Sequence, residues 1–246
     1  YREIVLTGVN IGAYGRDLPE GRDLAALAGE LLALPGEWRL RLSSVEPWDL
    51  TPALLALWPH PRLCRHLHLP LQSGSDAVLR RMGRGYTAET YREVVRALRA
   101  CVSPLGLSTD LIVGFPGERD EDFERTLALA QECAFSRLHV FRFSPRAGTV
   151  AATLSDAVPP HLAQARSERL IILGQELATA FHGQFVGAEV EPLLEGATCR
   201  GDLQVWDGLT DHYVRVEVES EEALANRFLR VRALAADAQG LRGVII

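Results

Sequence analysis

The stretch HLHLPLQSGSDAVLRRMGRGYT, from His66 to Thr87, shows the pattern that the first two-thirds of the chain follows. It begins with a short apolar strand, passes through a turn of small polar residues and continues into a helix that starts near Ser75. A strand that runs through a polar turn into a helix is typical of parallel α/β folds. The stretch therefore predicts one strand–turn–helix unit of such a fold.

The same unit recurs on both sides of this stretch. Further strands are predicted at 3–8, 38–43, 105–114 and 138–143, and further helices at 23–34, 88–101 and 120–133. Thr51 and Pro52 open another helix, since threonine caps a helix and proline fits its first turn. Five strands with intervening helices predict a parallel sheet. Periodicity alone leaves open whether the sheet is flat or part of a TIM-like barrel.

The pattern changes after Val158-Pro159-Pro160. A long helix is predicted at 161–182, and short strands separated by Gly, Asp and Asn follow it. These strands are predicted at 189–194, 204–206, 213–217, 227–233 and 240–246, and five of them in about 60 residues favour a small OB-like β-barrel. The predicted fold class is α/β: a partial TIM-like barrel over 1–158, a linking helix over 159–183 and a β-barrel over 184–246.

Composition narrows the classes of function. The 246 residues carry a net charge of −6, so an RNA site would have to be a local arginine patch. No apolar run reaches the roughly 18 residues of a membrane span, so no membrane partner is expected. The four cysteines have none of the spacings typical of zinc or iron–sulfur ligands, which predicts no metal-ligating residues in this chain. Free thiols favour a cytoplasmic protein.

The predicted carboxyl ends of the strands carry small or polar residues, and parallel α/β folds bind ligands there. These ends are 7–10, 43–46, 70–76, 114–118 and 142–146. Asp110 lies within an apolar strand, where a carboxylate needs a ligand hydroxyl or a partner such as Arg142. Residues 80–86 form the densest basic stretch and fit a phosphate backbone, with a solvated helix end as the alternative.

Three motifs resemble signature segments of the radical S-adenosylmethionine (SAM) methylthiotransferases. They are the opening stretch, TDLIVGFPGE (109–118) and HVFRFSPRAGT (139–149). The last 63 residues are similar to the TRAM domain, an RNA-binding module of the family. EIVLTGVNIGAYGRDL (3–18) and RLSSVEP (41–47) are most similar to the branch that acts on N6-threonylcarbamoyladenosine in tRNA. Other branches act on isopentenyladenosine in tRNA or on a ribosomal protein.

The resemblance implies an enzyme that adds a methylthio group to C2 of N6-threonylcarbamoyladenosine next to the anticodon. It implies SAM and [4Fe–4S] clusters as cofactors, and tRNA and SAM as the partners of a monomer. The family holds its SAM-binding cluster with a CxxxCxxC loop, and no such loop is in this sequence. The resemblance therefore implies an N-terminally truncated fragment without turnover of its own. The alternatives are the isopentenyladenosine branch, a non-catalytic tRNA-binding fragment, and an unrelated barrel enzyme with Asp110 and Glu118 as acid and base.

The resemblance also implies roles for single residues, with no catalytic side chain among them. Asn10 stands where many radical SAM enzymes carry a Gly-Gly-Glu motif that receives the methionine amino group. The full set expected to bind SAM is Asn10, Gln72, Ser73, Asp110, Gly114 and Ser144. The set expected to bind the substrate RNA is Glu46, Arg80, Arg81, Arg84 and Arg146. Roles in turns, loop caps or the solvated surface remain the alternatives for these residues.

The net charge of the last 63 residues differs from that of a typical RNA-binding module. Residues 184–246 contain six arginines and eleven acidic residues, whereas RNA-binding modules are usually basic on their binding face. The arginines at 200, 215, 227, 230 and 232 are expected either to form one stripe or to leave the module packed on the barrel without contacting RNA.

Overall fold

In the computed structural model, which describes residues 1–18, 21–200 and 203–246, five parallel strands lie side by side in chain order. They are β1 (Glu3–Leu6), β2 (Arg39–Leu42), β3 (His66–His68), β4 (Gly106–Val113) and β5 (Arg137–Arg142). β1 pairs with β2, and β4 pairs with both β3 and β5. Single parallel bridges from Leu40 to Leu63 and from Ser44 to His68 join the two sets. The predicted parallel sheet is confirmed as a half-barrel.

Helices connect consecutive strands. They are α1 (Leu24–Ala33), α2 (Pro52–Leu55), α3 (Asp76–Arg81), α4 (Ala88–Cys101) and α5 (Asp120–Glu132). Side-chain oxygens cap three of them: Asp23 accepts from the Ala26 N–H, Thr51 from the Leu54 N–H and Thr87 from the Thr90 N–H. Such caps satisfy backbone donors that the first turn of a helix leaves unpaired.

The side chains of β4 distinguish the two faces of the sheet. Leu107, Thr109 and Leu111 are fully buried, and the two leucines belong to the core that also contains Tyr91 of α4 and Phe123 of α5. Alternation along a strand puts Ser108, Asp110 and Ile112 on the opposite face. That face is the concave side of the half-barrel, and Asp110 is only half-buried there.

A seven-stranded sheet follows α6 (Pro160–Gly183) and is called the β module below. Its strands are β6 (Glu189–Val190), β7 (Leu193–Arg200), β8 (Leu203–Leu209), β9 (Arg215–Glu219), β10 (Arg227–Phe228), β11 (Val231–Asp237) and β12 (Gly240–Ile245), in the order β10-β7-β8-β9-β12-β11-β6. The prediction of five strands was wrong because two predicted segments are each divided. Pro192, which has no N–H for a ladder, separates β6 from β7. The boundaries at residues 158 and 184 stay a prediction.

The β module docks against the amino ends of the barrel strands. Arg41 donates to the carbonyls of Thr210 at 3.0 Å and Asp211 at 3.1 Å, and to the Glu3 carboxylate at 2.8 Å. The ring of Tyr213 lies on His66, with centroids 4.5 Å apart. Among the described residues, no helix is long and apolar enough to cross a membrane.

Candidate functional site at the carboxyl ends of the strands

A cavity of about 760 Å³ opens at the carboxyl ends of β4 and β5. One wall is α3 with the turn that follows it, and the other is the segment after β5. Six of the eleven predicted site residues line this cavity: Gln72, Arg80, Arg81, Arg84, Ser144 and Arg146. The roles of these six residues in binding SAM or RNA stay a prediction.

The arginines of this cavity divide into two groups. Arg81 donates to the Pro116 carbonyl at 3.1 Å and lies 3.6 Å from Asp156. Arg84 pairs with Glu46 at 3.3 Å. By contrast, Arg80, Arg142 and Arg146 are exposed and have no ion-pair or hydrogen-bond partner for their side chains among the residues that the structure describes. Three uncompensated positive charges therefore face the cavity.

Glu46 faces an arginine of this group rather than open solvent. One of its carboxylate oxygens contacts Arg84, and the other, Oε2, is buried without a hydrogen-bond partner. An unpaired buried carboxylate oxygen is costly unless a ligand or water donates to it. Glu46 thus keeps an acceptor available, as expected of a residue that binds substrate, but the structure assigns it no ligand.

Aromatic rings supply the apolar wall of the cavity. Phe115 and Phe143 meet edge to face with centroids 5.0 Å apart, and Phe141 is 52% exposed on the cavity side. Exposed aromatic faces next to unpaired arginines suit a planar base and an attached anion. Arg142 and the phenylalanines were not among the predicted site residues. The alternation of β5 could have indicated Phe141, which follows His139 on the concave face.

Asp110 lies on the same face of β4 as Ile112, two residues before it, and Ile112 lines the cavity. Its carboxylate is 3.4 Å from Nε2 of His68, and the His139 ring lies 5.7 Å from the His68 ring. The partner considered from the sequence, Arg142, was wrong, since it lies at the cavity. Burial, and then the neighbouring His68, lowers the pKa of His139.

The residues predicted to bind SAM do not converge on one point. Gln72 and Ser144 line the cavity. Ser73 is fully buried, where its hydroxyl lies 3.3 Å from that of Thr126 and accepts from the Ser75 N–H. Asn10 is exposed in the turn after β1, where its side chain caps nothing. The donors and acceptors that fit a polar nucleoside cofactor are therefore those of Gln72, Asp110 and Ser144.

Gly114 and Glu118 turn away from the cavity. A Cβ at Gly114 would lie 2.7 Å from that of Ala163 in α6, and the Gly114 N–H donates to Glu118 at 2.7 Å. Glu118 is buried against Arg166 of α6 at 2.7 Å. Burial raises the pKa of Glu118, and the Gly114 N–H and Arg166 oppose that rise. The alternative of Asp110 and Glu118 as an acid–base pair was wrong, because the two carboxylates face opposite sides of the sheet.

The cysteines do not fit an iron–sulfur cluster. Burial raises the pKa of Cys64 to about 12 and that of Cys133 to about 11, whereas Cys101 and Cys199 are exposed elsewhere. A cluster needs several thiolates at one place. No three Cys, His, Asp or Glu side chains in the described part of the chain are grouped to hold a metal ion. No chemical step is therefore assigned to a cluster held by these residues.

Comparisons with known proteins agree with this architecture. The profile of the Radical SAM superfamily matches residues 1–130. The threonylcarbamoyladenosine tRNA methylthiotransferase MtaB of Thermotoga maritima is 40% identical over 96% of this chain and 53% of its own length. The tRNA-2-methylthio-N(6)-dimethylallyladenosine synthase of Moorella thermoacetica is 38% identical over 99% of this chain and 55% of its own length. The chain thus spans about half the length of these relatives.

One solved structure has a comparable fold. Coproporphyrinogen III oxidase (HemN) from Escherichia coli, described as a radical SAM enzyme, matches with a TM-score of 0.52. The match covers 78% of this chain and 52% of that chain at 17% identity, so the likeness concerns the fold alone. Since the superfamily profile covers more than half of the residues, the chain belongs to the radical SAM superfamily.

Proposed function

We propose that the protein acts in tRNA modification as a methylthiotransferase, adding a methylthio group to C2 of N6-threonylcarbamoyladenosine next to the anticodon. The observation that carries this proposal is the cavity with three unpaired arginines and an aromatic wall at the carboxyl ends of the strands. The similarity to tRNA methylthiotransferases over 96–99% of the chain supports the same reaction class. We further propose that the protein acts in the cytoplasm as a monomer.

The charge of the cavity favours the threonylcarbamoyl substrate. That substituent ends in a carboxylate, which arginine binds through two parallel hydrogen bonds. Arg80, Arg142 and Arg146 are available for such a contact, because no acidic residue in the described ranges neutralises them. Arg146 follows β5 and lines the same cavity as Phe141. We therefore assign the carboxylate to Arg146.

The aromatic wall supports the second candidate, a dimethylallyl substrate. Phe141 is exposed on this wall and Phe143 is half-buried, so their rings offer an apolar surface that an uncharged branched alkyl group would bury. The two substrates differ in charge. If the arginines dominate binding, the threonylcarbamoyl nucleoside binds more tightly; if the phenylalanines dominate, the dimethylallyl nucleoside does.

Members of the superfamily use SAM together with a [4Fe–4S] cluster, and SAM when bound supplies the radical chemistry and the methyl group. We propose that this chain holds SAM with the side chains of Gln72, Asp110 and Ser144. Gln72 adopts a φ of +64°, and its backbone bonds to Asp110 and Ile112 on β4 fix its position. Ser73 and Gly114 then act indirectly, through the turns that they shape. Asn10 stays a predicted contact at the far strand.

The test is the binding of three anticodon stem–loops to the chain, one with each modified adenosine and one unmodified. We expect the threonylcarbamoyl stem–loop to bind most tightly. Arg146→Gln should weaken that complex about tenfold and leave the dimethylallyl complex nearly unchanged, since one charge-assisted contact is worth roughly 1.5 kcal/mol or more.

Arg96→Gln is the control, because Arg96 is exposed on α4, pairs with Glu89 and does not line the cavity. Equal weakening of all three complexes by Arg146→Gln would assign Arg146 to a phosphate and contradict the threonylcarbamoyl assignment. Tightest binding of the dimethylallyl stem–loop would favour the second candidate. Absence of binding to any stem–loop at low salt would contradict tRNA as the partner.

A further inference from the structure

A row of polar side chains, three of them joined by hydrogen bonds, runs along the concave face from the β module towards Asp110. Nε2 of His66 lies 3.2 Å from Oγ of Ser108, and the same Oγ lies 3.0 Å from Nδ1 of His68. Nε2 of His68 then faces Asp110 at 3.4 Å. Hydrogen bonds thus link His66, Ser108 and His68, and the 3.4 Å contact with Asp110 ends the row.

The Asp110 end of the row determines which way its hydrogens point. A carboxylate accepts hydrogen bonds and does not donate them, so the proton of a neutral His68 belongs on Nε2. Its Nδ1 is then a bare acceptor. Ser108 has a single hydroxyl hydrogen, and it must be donated to that Nδ1. The Ser108 oxygen is left to accept from His66.

The His66 end gives the same direction independently. Nδ1 of His66 is buried without a hydrogen-bond partner. A buried donor without a partner is rarer than a buried acceptor without one, so the proton of His66 belongs on Nε2, where it is donated to Ser108. Burial, then the charge of Arg41, lowers the pKa of His66 well below its usual value, which keeps the ring neutral. Both ends therefore orient every donor towards Asp110.

The surroundings hold the row in place. His66 is 5% exposed and lies under the ring of Tyr213, which the Arg41 guanidinium covers at 4.9 Å. His139 on β5 is a further titratable group beside His68. Asp110 is the most exposed member, with 31% of its side chain open on the concave face. Its second oxygen has no hydrogen-bond partner among the described residues and is free to accept from a ligand.

We propose that His66, Ser108 and His68 are positioning residues that hold Asp110 as an oriented acceptor for an O–H or N–H donor of a bound nucleoside. The proposal rests on the proposed function for the nature of the ligand, because both SAM and the modified adenosine carry such donors. The orientation of the row is independent of that function.

The first experiment measures the row itself by ¹H–¹⁵N correlation of the histidine side chains in the chain without ligand. We expect His68 to be protonated on Nε2, with an Nδ1 nitrogen shift typical of a hydrogen-bond acceptor. Ser108→Ala should abolish that acceptor shift. Ser136→Ala removes another buried hydroxyl, whose hydrogen bond among the described residues goes to the Leu107 carbonyl, and it should leave His68 unchanged. Protonation of His68 on Nδ1 in the unsubstituted chain would overturn the proposal.

The second experiment measures the affinity of Asp110→Asn for SAM and for the threonylcarbamoyl stem–loop. We expect about a tenfold loss of affinity for SAM, the ligand assigned to Asp110 above, and an unchanged affinity for the stem–loop. A loss confined to the stem–loop would keep the acceptor role and overturn the assignment of Asp110 to SAM. Unchanged affinity for both would overturn the acceptor role. If the unsubstituted chain binds neither ligand, the proposed function fails while the histidine spectra still decide whether the row exists.

Discussion

Both the backbone conformation and the packing at position 114 require glycine. Its φ of +75° lies in the left-handed region, and a Cβ there would meet that of Ala163 at 2.7 Å. We expect Gly114→Ala to lower the free energy of unfolding by about 2–4 kcal/mol. Roughly 1–2 kcal/mol comes from the backbone and the rest from overpacking against α6. Urea denaturation measures the loss.

Gly83→Ala separates the two contributions. Gly83 has a similar φ of +72°, but nothing lies within 4 Å of the position that its Cβ would take. This variant should lose only the backbone contribution of about 1–2 kcal/mol. Equal losses for the two variants would show that α6 yields to the extra methyl group, and that Gly114 is required for its backbone alone.

The direction of single side chains was less predictable than their place in the chain. Gln72, Ser144 and Arg146 meet at one cavity because strand ends of a parallel sheet share an edge. Ser73 follows Gln72 in the same turn but points into the core towards Thr126. Sequence position places a turn at a strand end, whereas the pairing of its backbone decides which side chains face outward.

At the scale of elements, the observed bounds of the helices agree closely with those predicted from the sequence. α4 begins and ends at the predicted residues, because its buried positions Tyr91, Val95 and Leu98 keep helical spacing and Thr87 caps it. The strands of the β module did not follow so well. β10 and β11 were predicted as one strand over 227–233, but they pair with different neighbours, β7 and β12. Such a division depends on partners distant in sequence.

The contact surface between the β module and strands β1 and β2, called the seam below, is held together by the carboxylate of Glu3. Glu3 contacts both Arg39 and Arg41 and is only 14% exposed. Burial alone would raise the pKa of Glu3, but the two arginines outweigh it and lower the pKa. Glu3→Gln should therefore cost about 3 kcal/mol of unfolding free energy at neutral pH, as when one partner of a buried ion pair is removed.

The pH dependence of that loss follows from the direction of the shift. Ionised Glu3 stabilises the fold at pH values above the ordinary glutamate pKa, and this contribution disappears as the pH falls through the lowered pKa. The difference between Glu3→Gln and the unsubstituted chain should thus narrow on acidification. Glu37→Gln, which removes an 85% exposed partner of Arg2, should cost under about 0.5 kcal/mol. A Glu3→Gln loss that is independent of pH would show that shape, not charge, holds the seam.

At the scale of the whole molecule, the arginines that are free to bind RNA are unevenly distributed between the cavity and the β module. The chain carries a net charge of −6, and acidic residues pair with three of the five β-module arginines whose side chains the structure describes. Arg215 pairs with Asp207, Arg227 lies 3.8 Å from Glu222 and Arg232 pairs with Glu189. The side chain of Arg200 lies outside the described residues. The described part of the module therefore presents no continuous stripe of unpaired arginines. We expect the phosphate contacts at the cavity instead.

The salt dependence of tRNA binding tests this distribution. Each phosphate contact that is lost reduces the slope of log K against log salt concentration by about 0.7–0.9. Replacing Arg80, Arg142 and Arg146 together with glutamine removes the two expected phosphate contacts of Arg80 and Arg142 besides the carboxylate contact of Arg146, so it should reduce the slope by about 1.5. Replacing Arg215, Arg227 and Arg232 removes the same charge from paired positions and should change the slope by less than about 0.5. The reverse result would place the RNA on the β module, and a loss shared equally would mean that the RNA spans both. Because the two triple variants carry the same net charge, the comparison distinguishes local contacts from the overall field of an acidic protein.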